Sequence, residues 1–212
     1  MRRLRLALSI VSAAGTLGAC GASSPPSAVP TPATSVPAAS PSAASSRAAS
    51  PPARVTGRVG QRELAPRSAI FLWRDRANDL TVLLSDADDP CAALTAGGWP
   101  RGATMLRATI KHNAADNRDA HFGAGDFPIR QGAARKPQDT KEAVFVALDA
   151  SCSPLQRSKA VSGSVRLTSP DVTASGTAEG TFELTMEGGE RLEGAFTARH
   201  CPTPDVEPSG CR

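Results

Sequence analysis

Apolar and polar residues alternate along much of the C-terminal part of the chain. Between residues 182 and 187 every second residue is apolar, and the residues between them are Glu or Thr. A Gly188-Gly189 pair follows, and the alternation then resumes over residues 192–198. A period of two is typical of strands that bury one face, and a glycine pair turns the chain because glycine adopts positive φ at little cost. The pattern predicts an antiparallel hairpin with a solvated outer face.

Other segments extend this pattern, and only one looks helical. In segment 161–167, alternate residues from Val161 onward are predicted to face inward, whereas segment 143–148 is apolar on both faces, which predicts a central strand. Segment 90–96 predicts a short helix with Pro90 in its first turn. With further strands at 69–73, 80–85 and 104–110, the prediction is an all-β fold, either an antiparallel sandwich or a partly closed meander barrel with one short helix.

The first 53 residues follow a different pattern. A basic start is followed by an apolar stretch over residues 6–17, which resembles a secretory signal and is too short for a transmembrane helix. Residues 21–53 then hold eight Pro, nine Ser and ten Ala, with Arg47 as their one charge. So few large apolar side chains cannot offset the entropy lost on ordering. This composition predicts a disordered tether before a single all-β domain over residues 54–212.

The apolar stretch ends in Leu17-Gly18-Ala19-Cys20, which resembles the lipobox of bacterial lipoproteins. The resemblance implies cleavage of a signal peptide, residues 1–19, and attachment of lipid to the Cys20 sulfur. Cys20 and the tether, residues 20–53, would then hold the domain on a membrane outside the cytoplasm, in the cell envelope. The residue after the cysteine is Gly21 rather than Asp, which favours the outer membrane.

A second resemblance lies at the C-terminus. The Gly180-Thr-Phe182 and Gly194-Ala-Phe196 elements, followed by Cys201, are similar to the ending of small lipoproteins common in myxobacteria. That resemblance supports the fold and implies no activity.

The basic character of the chain belongs to its export signal. Of 24 Lys and Arg residues, Arg2, Arg3, Arg5 and Arg47 precede residue 54, and the remaining 20 match the 20 Asp and Glu residues. A domain without net formal charge does not favour nucleic acid as a partner.

Four cysteines remain after Cys20, and an even number in an exported domain favours disulfides over a zinc site, for which no C-x-x-C motif is present. In a simple meander, Cys91 and Cys201 would lie near one end of the fold and Cys152 near the other. We therefore expect Cys91–Cys201 and Cys152–Cys211, although one crossover connection would reverse this argument.

Candidate chemistry is sparse, and each case has a simpler interpretation. His112 and His121 could join nearby Asp and Asn residues in a metal site, but a polar loop is favoured. The acidic run before Pro90 could bind Ca²⁺, but a helix cap is favoured. Ser164 lies on a regular strand without a G-x-S-x-G motif, and a Glu183–Glu193 pair would be solvated. The acidic and amide residues considered are Asp116, Asn117, Asp119 and Asp126 near the histidines, and Asp86, Asp88 and Asp89 before Pro90.

These observations predict no catalytic residue, no bound metal and no cofactor. His200 has no partner in a recognisable motif, and Trp99 is either an exposed aromatic contact or part of the core. The leading hypothesis is a membrane-anchored envelope lipoprotein that presents a β domain for binding or assembly, with an envelope protein as its partner. The alternatives are a carrier that holds a lipid or small ligand in a barrel cavity, and an enzyme with an unfamiliar site.

Overall fold

The computed structural model describes residues 52–74, 78–111, 123–130, 140–203 and 210–212. Of the described residues, 64% are in strands and 5% are helical, and the strands form a closed seven-strand barrel. The prediction of an all-β fold with one short helix is confirmed, and barrel closure is complete where a sandwich or partial closure had been expected. The elements are β1 Ala53–Val59, β2 Arg62–Glu63, β3 Ser68–Arg74, β4 Asp79–Ser85, α1 Pro90–Thr95, β5 Thr104–Lys111, β6 Gly125–Arg130, β7 Thr140–Leu148, β8 Pro154–Pro170, β9 Thr177–Met186 and β10 Arg191–His200.

The barrel closes through a short parallel contact between its first and last strands. Its order is β3-β4-β5-β7-β8-β9-β10, and β10 returns to β3 with Arg199 opposite Ile70 and His200 opposite Phe71. The Cys201 N–H extends this contact by donating to the Phe71 carbonyl at 2.8 Å. The other strand pairs are antiparallel. Closure satisfies backbone groups that the edges of an open sheet would expose.

Two strands attach to the barrel from outside the ring. β1 pairs with the first half of β10, and β6 pairs with the second half of β8. The sequence interpretation treated residues 111–127 as a loop and so missed β6, whose Phe127 and Ile129 enter the barrel core. Pro128 obscured this strand, because proline cannot donate to a β ladder and suits an edge position. Since β6 lies outside the ring, β5 pairs directly with β7, and the chain is not a simple meander.

The predicted C-terminal hairpin is confirmed as β9 and β10, and its glycines and phenylalanines pair across the strands. Gly194 lies opposite Phe182, and Gly180 lies opposite Phe196. A Cβ on Gly194 would lie 2.7 Å from the Phe182 ring, and a Cβ on Gly180 would lie 2.7 Å from the Phe196 ring. Each ring thus packs over the bare backbone of a glycine. This pairing is the physical reason for the repeated Gly-x-Phe elements.

The inward face of β8 differs from the sequence prediction at its first two positions, because Val161 is only partly buried and Gly163 is exposed. A bulge between Ala160 and Ser162 shifts the register against β9. Ala160 is therefore buried, whereas Val161, predicted to face inward, is only partly buried. The bulge adds one residue that the alternation cannot reveal, because both neighbours of Val161 are small.

Strands β3, β4, β5 and β7 are covered on both faces. Their inward residues, such as Phe71 and Phe145, belong to the main core inside the barrel. Residues on their opposite face, together with residues of the segments packed over it, form a second apolar group, which we call the outer cluster. It consists of Ile70, Leu83, Leu94, Ala103, Met105, Leu148 and Cys201, with Leu72, Ala87, Cys91, Trp99, Val146 and Cys152 packed at its margin.

Helix α1 covers part of the outer cluster, and its ends match the sequence signals. The Asp89 side chain accepts a hydrogen bond from the Ala92 N–H at 3.2 Å, so the predicted helix cap is confirmed. Gly97 has a φ of 81° just after the helix, and the Gly98 N–H donates to the Ala93 carbonyl at 3.0 Å. This left-handed turn ends the helix and directs the chain towards Trp99.

The Gly194–Phe182 pair gives a stability prediction. Gly194→Ala places a methyl group against both the Phe182 ring and the Arg54 carbonyl oxygen. We expect the free energy of unfolding, measured in urea, to fall by about 1–3 kcal/mol. Gly123→Ala is the matched control, because a Cβ at Gly123 meets no atom of the described residues within 4 Å. Equal stability of the two variants would contradict the packing described here.

Candidate functional site

Both disulfides lie at the same end of the barrel. Cys91 is bonded to Cys201 and Cys152 to Cys211, with Cα–Cα distances of 5.6 and 5.5 Å. The predicted pairing is therefore confirmed. The reason given for it was wrong, because Cys152 was expected at the opposite end. β5 and β7 are direct antiparallel neighbours, so the turn after β7 returns to the end where β5 begins, beside the outer cluster.

A tight turn after β7 presents Cys152 to the C-terminal tail, which we define as residues 201–212. One carboxylate oxygen of Asp149 accepts hydrogen bonds from the Ser151 N–H at 2.8 Å, the Ser151 hydroxyl at 2.7 Å and the Ser153 N–H at 2.8 Å. These bonds, led by the one from the Ser151 hydroxyl, hold the pKa of Asp149 below its ordinary value of 3.8. Cys152 has a φ of 61°, which the surrounding bonds and the disulfide maintain.

The end of the tail holds Trp99 in place. The Trp99 N–H donates to the Gly210 carbonyl at 2.9 Å, and the Arg212 N–H donates to the Trp99 carbonyl at 3.0 Å. The Arg212 side chain also donates from Nε to the Ala96 carbonyl at 3.0 Å. Because Cys211 lies between these contacts, its bond to Cys152 ties the Trp99 segment to the turn after β7.

Between these elements lies a cavity of about 220 Å³, which we call the outer pocket. Its floor is formed by outward-facing residues of β4, β5 and β7, and its walls by Trp99 and the start of β8. The lining is mostly apolar. It consists of Leu83, Trp99, Met105, Arg107, Val144, Val146, Leu148, Cys152, Pro154 and Arg157.

Arginines are the charged side chains of this lining. Arg107, on β5, forms an ion pair with Glu142, and its guanidinium carbon lies 5.9 Å from the centre of the Trp99 ring. Arg157, on β8, is exposed, and its guanidinium makes no ion pair with any residue that the structure describes. The outer pocket therefore combines an apolar floor with positive charge at its rim.

Among the histidines and the metal-site candidates named from the sequence, the structure describes Asp126 and His200. Asp126, on β6, is exposed and accepts from both Nε and Nη2 of Arg166, at 2.6 and 3.2 Å. The hydrogen bond from Arg166 lowers the pKa of Asp126 from its ordinary value. His200 packs against Phe71 with ring centres 5.0 Å apart, at the closure of the barrel. The other members of the proposed metal site, His112, Asp116, Asn117, Asp119 and His121, lie outside the described residues, as does Cys20.

The remaining acidic candidates have structural roles. The Asp86 carboxylate accepts from the Thr104 N–H at 2.7 Å, and Asp88 pairs with Arg67 at 2.7 Å. Glu183 and Glu193 are opposite each other on β9 and β10, and both are exposed, as predicted. Their alternation with buried residues places them on the outer face of the hairpin.

Ser164 is a strand residue opposite Pro128 of β6 and Glu183 of β9. In the described part of the chain, no group of three or more His, Cys, Asp or Glu residues is arranged to hold a metal ion. Nor do the described residues include a helix with the length and apolar character needed to span a membrane.

Sequence reasoning missed the outer pocket. Trp99 had been considered either an exposed contact or part of the core, and the structure finds it half-buried, in contact with the outer cluster and beside the cavity. The sequence contained one indication of this region. Segment 143–148 is apolar on both faces, so other parts of the chain must pack against its second face. Comparison of the chain with protein-family models, curated proteins and solved structures found no match.

Removing the Cys152–Cys211 disulfide should have two effects, because this bond joins the end of the tail to the turn after β7. The variant carrying Cys152→Ser and Cys211→Ser loses a link across 59 residues of sequence. We expect the free energy of unfolding to fall by about 2–4 kcal/mol. We also expect the near-ultraviolet circular dichroism of the folded protein to change, because Trp99 loses the support of the tail. An unchanged tryptophan signal would contradict the proposed link between Cys211 and Trp99.

The Asp149 turn predicts a local dependence on pH. Because the folded-state pKa is depressed, the stabilisation of the turn is complete above about pH 4 and is lost as the pH falls through the lower folded-state value. The amide NMR signals of Ser151 and Ser153 should therefore titrate with a midpoint below 3.8. In Asp149→Asn this transition should vanish. A midpoint above the ordinary value would contradict the hydrogen bonding described for the turn.

Proposed function

We propose that this chain is a lipid-anchored lipoprotein of the bacterial cell envelope, whose barrel domain is a binding module displayed on a tether. The observation that carries the proposal is the Leu17-Gly18-Ala19-Cys20 sequence at the end of an apolar, signal-like stretch. Lipid on the Cys20 sulfur and on the new N-terminus would supply two or more acyl chains. Two chains give stable membrane attachment where one chain does not.

Two features of the domain support a place outside the cytoplasm. All four cysteines after Cys20 are paired in disulfides, and such bonds persist in oxidising compartments. The Pro-rich segment over residues 21–53 has the composition of an extended spacer, which could reach on the order of 100 Å at about 3.1 Å per residue. An anchor of this kind holds a domain near a membrane without fixing its orientation.

The outer pocket supports binding as the role of the domain. It exposes an apolar surface bounded by Trp99, Arg107 and Arg157, and partly apolar concave sites with a few polar groups are typical of ligand sites. The Cys152–Cys211 disulfide and the Asp149 turn fix the walls of the outer pocket in the absence of a ligand. Such preorganisation favours binding because less ordering is needed in the complex.

A carrier of lipids or small ligands is the second candidate. The sequence-based carrier hypothesis requires a cavity inside the barrel. Large side chains occupy the described interior instead, among them Phe71, Phe145 and Met186, and each is essentially inaccessible to solvent. The outer pocket favours a small ligand held on the outside of the barrel instead. The anchored binding module therefore remains the first candidate.

The anchor is tested by Cys20→Ala in the full chain, expressed in a bacterium that processes lipoproteins. We expect the wild-type chain in the membrane fraction, with a mature N-terminal peptide whose mass includes the acyl chains. The variant should lose that mass and leave the membrane fraction. Cys211→Ala is the matched control, because it also replaces one cysteine but should stay in the membrane fraction. An unmodified Cys20 in the wild-type protein would overturn the proposal.

A further inference from the structure

We infer that the outer pocket binds a small amphipathic anion, an organic carboxylate with an apolar body. The inference rests on the proposed role of the domain as a binding module and adds the chemical class of its ligand. It follows from three properties of the outer pocket: its volume, its apolar floor, and the position of Arg157 at its rim.

The volume limits the apolar part of the ligand. A cavity of 150 Å³ lined by apolar residues is known to hold benzene, and the outer pocket measures about 220 Å³. Pockets for drug-sized ligands measure about 300 Å³ or more. The outer pocket therefore fits a single aliphatic chain or one substituted ring, rather than a phospholipid with two acyl chains.

The floor explains why the buried part of the ligand is apolar. Met105, Val144 and Leu148 line the outer pocket and are buried, and they offer hydrocarbon surface without hydrogen-bonding side chains. Val146, which also lines the floor, is only partly buried. A ligand that covers Val146 and its neighbours removes apolar area from water, which favours binding.

Charge at the rim selects the head group. Arg107 already pairs with Glu142 and contacts Trp99, so its position is fixed and its charge is largely balanced. Arg157 retains an uncompensated charge among the described residues. A guanidinium binds a carboxylate through paired N–H donors. The carboxylate of a ligand whose apolar body occupies the floor therefore lies within reach of Arg157 at the mouth.

Trp99 gives the site a built-in reporter. It forms one wall of the outer pocket, and the chain has only one other tryptophan, Trp73. Trp73 packs against the main core rather than the outer cluster. Trp73→Phe therefore leaves Trp99 as the source of tryptophan fluorescence with little change to the outer pocket.

The test uses the full chain with Cys20→Ser and Trp73→Phe, purified with both disulfides formed, and titrates it with octanoate, octanol and octylamine. We expect saturable changes in Trp99 fluorescence with octanoate at a Kd of about 1 mM or tighter. Octanol should bind about fivefold more weakly or worse, and octylamine more weakly still, because Arg157 repels its ammonium group. Added salt should weaken the binding of octanoate and leave that of octanol unchanged.

Three variants test whether the binding effects arise at the outer pocket. Arg157→Gln should lower octanoate affinity about fivefold or more, to the level of octanol, without changing octanol binding. Arg191→Gln, an exposed strand arginine outside the lining, is the matched control and should change neither. Val146→Phe should fill the cavity and abolish both responses, and its circular dichroism spectrum shows whether the barrel remains folded.

Absence of saturable octanoate binding up to about 10 mM would overturn the inference, because that limit is tenfold above the expected Kd. Equal binding of octanoate and octanol would also overturn it, since the outer pocket would then not recognise an anion. Equal effects of the two arginine substitutions would show that Arg157 does not hold the carboxylate. None of these outcomes bears on the membrane anchor, which Cys20→Ala tests separately.

Discussion

Four neighbouring strands with apolar residues on both faces impose the main constraint on this fold. One face of β3, β4, β5 and β7 is covered when the sheet closes into a barrel around the aromatic core. The other face carries Ile70, Leu83, Met105 and Leu148, which would be exposed on a simple barrel. Helix α1, the Trp99 segment and Cys201 cover that face, and residues 210–212 bind the Trp99 segment. Because these pieces are short, they contribute little packing of their own, and the two disulfides hold them in place.

The other half of the barrel differs because its strands bury only one face. Strands β8, β9 and β10 alternate between buried and exposed residues, and no covering element is needed on their outer side. There the fold depends on close packing inside, where Phe182 and Phe196 fill the space above two glycines. The cover over β5 and β7 is incomplete, and the outer pocket is the gap. A candidate binding site thus arises where the covering segments stop short of the whole apolar face.

Sequence reasoning succeeded for most of the features that the local sequence determines. The β9–β10 hairpin, the central position of β7 and the Asp89 cap could be predicted because neighbouring residues determine each of them. Non-local geometry was not accessible in this way. The β10–β3 closure joins strands far apart in sequence. β6 lies outside the ring, and the sequence before it has no periodic pattern of apolar residues. The disulfide pairing was correct although its reasoning was not, since β5 and β7 are antiparallel neighbours and bring Cys152 to the end that holds Cys91.

Disulfide mapping tests the central claim most directly, because the cover over the second apolar face depends on which cysteines are joined. The exported protein would be alkylated without reduction, digested with protease and analysed by mass spectrometry. The account predicts linked peptides containing Cys91 with Cys201 and Cys152 with Cys211. Linkage of Cys91 to Cys152, or of Cys201 to Cys211, would place the tail elsewhere and contradict the described cover.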